Sequence, residues 1–162
     1  MRIDCVDENG RLQEVAFTKI LEAASEVFRQ EFDLPAEEEE RMEVSLTITD
    51  EESIRQINRE YRDIDRVTDV LSFPLNELTP GEFDPEECER DLDTGAVLLG
   101  DMMISVPRCE SQGEEFGHGY EREIMYLTVH SVLHLLGYDH VDDGEEKRRM
   151  RKREKEIMGD KD

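Results

Sequence analysis

No segment of this chain approaches the ~18 consecutive apolar residues of a membrane-spanning helix, so a soluble protein without membrane contact is expected. Met1 to Leu12 is polar and acidic and holds no apolar core of a secretory signal, so a leader is not expected either. Cysteine is scarce. Cys5, Cys88 and Cys109 are odd in number, far apart and without a C-x-x-C pair, which argues against a disulfide scaffold and for a reduced, cytoplasmic setting. Positive charge is scarce as well: 20 Lys and Arg stand against 43 Asp and Glu, a net charge of −23. That balance argues against a protein that coats nucleic acid through its overall field. No internal repeat or second domain shows in the pattern, and 162 residues suit one domain (1–162) able to bury a core without cross-links.

What is present is a mixture of two periodicities. Arg2–Val6 and Leu12–Ala16 flank the turn signal Glu8-Asn9-Gly10 and predict a short hairpin. Phe17, Ile20, Leu21, Ala24, Val27 and Phe28 recur at helical spacing over about 17–31. After the acidic connector Glu37–Glu40, Val44, Leu46 and Ile48 alternate with polar residues as in a half-buried strand. Thr49 and Glu52 form a capping box for a helix reaching Tyr61. Thr68–Phe73 predicts a strand stopped by Pro74, and Ala96–Val106 an interior strand interrupted at Gly100-Asp101. Between them, residues 75–95 hold eight acidic residues, two prolines and two glycines, the composition of an exposed loop. Helices follow over about 119–136, ended by Gly137, and over 144–158, capped by Asp142 or Asp143. The expected fold class is α+β: one domain, a small mixed β-sheet packed with helices.

Histidine is also rare, but three of the four fall within eleven residues, His130-Ser-Val-Leu-His134-Leu-Leu-Gly137-Tyr-Asp-His140; the fourth is His118. Residues four apart share a helix face, so His130 and His134 can converge on one ion at ~2.0–2.1 Å. A continuing helix would turn His140 about 240° away, so the chain must fold back, and Gly137 stands where that turn is needed. Three imidazoles at the end of a central helix would leave Zn²⁺ one position for water and could lower the pKa of that water to about 7, which suits hydrolysis of a carbonyl or phosphoryl centre. A purely structural zinc with His118 as fourth ligand is the alternative. The spacing also equals the metzincin peptidase signature H-E-x-x-H-x-x-G-x-x-H, but Ser131 stands where that mechanism needs its glutamate base.

The segment 130–140 resembles the histidine motif of the YbeY family of rRNA maturation endoribonucleases. Further blocks match in order: Asn58-Arg-Glu-Tyr-Arg62, Thr68-Asp-Val-Leu-Ser-Phe-Pro74, Leu99-Gly-Asp101 with Ile104-Ser105, and Arg122-Glu123. The matches span about residues 44–141. The resemblance implies an α+β domain with one Zn²⁺ held by His130, His134 and His140, and metal-dependent cleavage of single-stranded RNA. It implies a role in 16S rRNA 3′-end maturation and ribosome quality control, in the cytoplasm, with small-subunit rRNA, the ribosome and small-subunit ribosomal proteins as partners. Arg62 and His134 are the catalytic candidates that it designates. The acidic loop 75–95 and the charged C-terminal helix 144–162 depart from the common pattern.

Each supporting residue has a plainer reading beside the chemical one. Arg62 can neutralise a scissile phosphate or pair with Asp63 or Asp65. Asp101 can orient a ligand histidine or cap a loop. Ser72 and Asp69 suit strand-end hydrogen bonds, Glu123 a solvated or salt-bridged carboxylate, and Asp139 a turn or an imidazole partner. Residues 144–162 carry eight basic and six acidic side chains. They form either a solvated helix with internal pairs or a handle for rRNA or a ribosomal protein.

Overall fold

A computed structural model describes residues 1–8, 10, 12–32, 34–117, 119–138 and 144–159. Four strands, β1 (Arg2–Asp7), β2 (Met42–Thr49), β3 (Val70–Pro74) and β4 (Val97–Ser105), form one sheet in the order β1-β2-β4-β3. β1, β2 and β4 run parallel and β3 antiparallel to β4, so the sheet is mixed, as expected. The alternation in β2 holds, with Met42, Val44, Leu46 and Ile48 all buried. The helices are α1 (Glu14–Glu31), α2 (Ala36–Glu39), α3 (Glu51–Arg62), α4 (Val106–Phe116), α5 (Tyr120–Leu135) and α6 (Glu145–Met158). α5 is the hub, in contact with α1, α4, α6 and β3. It buries Ile124, Leu127, Val132, Leu133 and Leu135 in the core.

Several expectations are corrected. The N-terminal hairpin does not form. Asp7 accepts a hydrogen bond from the Leu12 amide at 2.8 Å, and the chain then enters α1 and crosses over to place β1 parallel to β2. The helical series Ala16, Ile20, Ala23 and Val27 extends further upstream than the turn signal suggested, so residues 14–16 belong to the helix. The cap of α3 is Asp50, whose side chain accepts from the Ser53 amide at 2.8 Å, rather than Thr49. Helix α4 is an element that the sequence pattern does not predict; Ser105 caps it and Pro107 occupies its first turn, a start signal placed directly against a strand end. The loop 75–95 is anchored rather than wholly exposed. Phe83 packs edge-on against Phe28 at 5.8 Å, Cys88 is buried, and a short 3-10 turn spans Pro85–Glu87. The acidic connector carries the one-turn helix α2. Asp142 and Asp143, expected to cap α6, lie outside the described residues.

Candidate active site

The last two turns of α5 carry His130 and His134, whose rings meet edge to face with centres 4.8 Å apart. Two imidazoles sharing one ion at ~2.0–2.1 Å hold their ring centres roughly 5 Å apart, so the pair fits a common cation. His140 and His118 lie outside the described residues, as does Asp139, and among the described residues no group of three or more His, Cys, Asp or Glu is arranged around one point. Gly137 follows the helix with φ +105°, the left-handed conformation expected of it. It serves a second purpose that the spacing could not show. A Cβ there would stand 2.2 Å from the Leu78 carbonyl oxygen, so glycine lets the chain after Pro74 close on the end of α5.

His130 and His134 open into a cleft of about 740 Å³, within the range of small-ligand sites. Its other walls come from β3 (Val70, Ser72, Phe73), the loop Asn76–Leu78, Tyr138, and the end of α3 with Tyr61 and Arg62. Arg62 reaches the cleft because Asp63 takes a left-handed conformation (φ 57°) and ends the helix. Buried Asn58 then ties down the following chain by donating to the Arg66 carbonyl at 3.1 Å. The salt-bridge reading of Arg62 loses its partner: Asp65 pairs with Arg55 at 2.8 Å, and Arg62 makes no ion pair among the described residues. Tyr61 is 70% exposed and meets Phe73 edge-on at 5.7 Å, leaving an aromatic face on the rim beside Arg62.

Burial separates the readings of two carboxylates. Glu123 is buried, which sets aside its solvated reading; with the Gln112 amide assigned so that its nitrogen faces the two carboxylates, Gln112 donates to Glu123 at 3.0 Å and to Asp69 at 2.9 Å. Asp69 also accepts from the Val70 amide at 2.7 Å, the strand-end role expected of it. Asp101 is exposed on β4 and is not part of the cleft wall, so it orients neither His130 nor His134. Ser131 is fully buried and its Oγ lies 2.5 Å from that of Ser72, a bond that fastens α5 to β3. The position that holds the base in the peptidase signature is therefore turned into the sheet. Cys88 and Cys109 are buried, and burial raises both thiol pKa values, which makes them poor nucleophiles.

The feature that sequence reasoning missed is Glu154. It is 3% exposed, its Oε1 lies 2.6 Å from His130 Nδ1, and its Oε2 accepts from the Tyr126 hydroxyl at 2.7 Å. Burial alone would raise its pKa, but the bonds from His130 and Tyr126 outweigh burial and keep it below the ordinary carboxylate value. A carboxylate can only accept, so Nδ1 carries the proton and Nε2 is the nitrogen a cation would take. The signal was there to read: on α6, Met150, Glu154 and Ile157 form a buried stripe at helical spacing, with a charge at its centre.

The family model described as Endoribonuclease YbeY matches residues 2–161, almost the whole chain. The chain belongs to the YbeY family. Endoribonuclease YbeY of Clostridium acetobutylicum is 52% identical over 122 residues, covering 72% of this chain and 73% of that protein. Endoribonuclease YbeY of Clostridium botulinum strain 657 is 49% identical over 126 residues with the same coverage. The solution structure of TM1509 from Thermotoga maritima shares the fold, with a TM-score of 0.54 and 24% identity over 97% of this chain and 89% of that one. The resemblance stated from the sequence is thus upheld, as is the α+β fold. In this YbeY-family chain the blocks around Arg62, Thr68–Pro74 and His130–Gly137, distant in sequence, line one cleft. No helix among the described residues is long and apolar enough to cross a membrane.

Proposed function

We propose that this protein is a single-strand-specific metallo-endoribonuclease that acts in the cytoplasm on the 3′ end of 16S rRNA and in late ribosome quality control. The observation that carries the reading is the sharing of one cleft by the His130–His134 pair and Arg62, a guanidinium with no ion pair among the described residues. The donor set is imidazole only, which suits Zn²⁺, and His130, His134 and His140 would hold one ion. Bound there, the ion supplies a Lewis acid for a phosphoryl oxygen and promotes ionisation of water.

The remaining work falls to the chain's own groups. Arg62 binds the phosphate through a planar fork of donors and balances the charge that grows on it. Tyr61 and Tyr126, both exposed at the cleft, offer faces on which unpaired bases stack, and a duplex keeps its bases out of their reach. Glu154 holds His130 in the tautomer that the site needs. On α6, exposed Arg148, Arg149, Arg151, Lys152 and Lys155 give an otherwise acidic protein a basic face for rRNA or small-subunit ribosomal proteins. Arg149 stands 5.6 Å from the centre of the Tyr138 ring, which links that face to the cleft. A zinc peptidase is disfavoured because Ser131 is bound to Ser72 and carries no carboxylate.

The test is cleavage of a labelled single strand carrying the 16S 3′ precursor, compared with the same sequence in duplex. The expected result is cutting of the single strand only, abolished by chelation, and reduced at least ~100-fold by Arg62→Ala with the circular dichroism spectrum retained. Equal cutting of both forms, or full activity in Arg62→Ala, would refute the assignment.

A further inference from the structure

We propose that Glu154 is a positioning residue for the metal centre and that cation binding and docking of α6 are one coupled equilibrium. The proposal rests on the metal reading of His130 and His134. Glu154 is the only charged residue in the buried stripe of α6, between Met150 and Ile157, and both of its oxygens are spent on α5, one on His130 and one on Tyr126 a turn earlier. A buried carboxylate is costly unless fully paired, so the pairing is a condition for α6 to dock at all. Its chemical consequence lies on the imidazole. With the Nδ1 proton directed at Glu154, the ring cannot rotate or change tautomer, and Nε2 is preset for a cation.

The neighbouring residue closes the other side. Arg153 reaches Glu31 on α1 and donates to the Gln30 carbonyl at 2.6 Å, while the Tyr138 hydroxyl donates to Glu31 at 3.0 Å. Adjacent residues of α6 therefore grip α5 and α1, and the second grip includes the residue directly after Gly137. A helix pinned from both flanks cannot slide Glu154 away from His130 without breaking the Glu31 contacts as well. A cation that needs this histidine geometry must then stabilise α6, and loosening α6 must weaken the cation by the same factor.

The experiment measures Zn²⁺ affinity of the full chain by competition with a chromophoric chelator, for the unsubstituted protein and Glu154→Gln. Amide hydrogen exchange of α6 in the unsubstituted protein is followed with and without Zn²⁺. The expected result is 10–100-fold weaker binding in Glu154→Gln and slower exchange across α6 when Zn²⁺ is present. Unchanged affinity in a folded Glu154→Gln protein would overturn the proposal while leaving the metal site standing. Absence of Zn²⁺ binding by the unsubstituted protein would overturn both. If Glu154→Gln does not fold, α6 exchange in the unsubstituted protein decides: slowing by Zn²⁺ supports the coupling, and identical rates refute it.

Discussion

Replacing Gly137 by alanine separates two costs that the structure assigns to one residue. The first is conformational: φ is +105°, and an L-residue forced out of its ordinary regions loses roughly 1–2 kcal/mol. The second is contact: the new Cβ would meet the Leu78 carbonyl oxygen at 2.2 Å and its carbon at 2.7 Å, both backbone atoms that cannot rotate away. Overpacking of that kind costs about 1–3 kcal/mol, so the total is about 2–5 kcal/mol, a large share of a domain's ~5–15 kcal/mol. Gly117 is the internal control, since its φ is +75° but nothing among the described residues lies within 4 Å of an added Cβ. Urea unfolding followed by circular dichroism should therefore show Gly117→Ala losing only the conformational part and Gly137→Ala at least ~1 kcal/mol more. The same substitution should push the Asn76–Leu78 wall outward and reduce RNA cleavage. If both variants lose the same stability to within ~0.5 kcal/mol, the close approach of Leu78 is not a feature of the folded protein.

Three further outcomes follow from individual contacts. The Tyr120 hydroxyl is buried with no partner among the described residues, and burial pushes its pKa up from 10 to about 12. The unfolded chain then releases this proton first, so the stability is whole below pH 10 and falls between pH 10 and about 12. Tyr120→Phe should add roughly 1 kcal/mol at neutral pH and flatten that alkaline fall in urea titrations; an unchanged alkaline slope would contradict it. Ser131→Ala orphans the Ser72 hydroxyl and should cost about 1 kcal/mol, with the Ser72→Ala/Ser131→Ala pair costing less than the sum of the singles; strict additivity in the double-mutant cycle would deny the bond. Changing Arg148, Arg149, Arg151 and Lys152 to glutamine should shallow the salt dependence of single-stranded RNA binding by ~0.7 in log–log slope for each lost phosphate contact, and an unchanged slope would remove α6 from the RNA surface.

What could be read in advance was what local spacing encodes. The alternation of Val44, Leu46 and Ile48, the i,i+4 pair His130 and His134, and the demand for a positive φ at Gly137 each depend on a few neighbouring residues, and each is found in the fold. What escaped depends on distant partners. The turn signal Glu8-Asn9-Gly10 in the sequence could not say that β1 pairs with a strand some forty residues on, in parallel register with Arg2 beside Glu43. α4 has no gap before it, since its cap Ser105 is also the last residue of β4. Ser131 looked like a missing base because its partner, Ser72, lies 59 residues away. Charge alone groups Glu154 with the solvated residues of a basic helix, whereas its place between Met150 and Ile157 marks it as a core position.

In the proposed mechanism the imidazole cleft needs a cation in order to cut RNA. The direct measurement is titration of chelator-stripped protein with Zn²⁺ while single-strand cleavage is followed, in the unsubstituted chain and in His134→Ala. Activity returning with an end point at one ion per chain, and no recovery in folded His134→Ala, is the predicted result. Full cleavage by the stripped protein, or full recovery without His134, would contradict it.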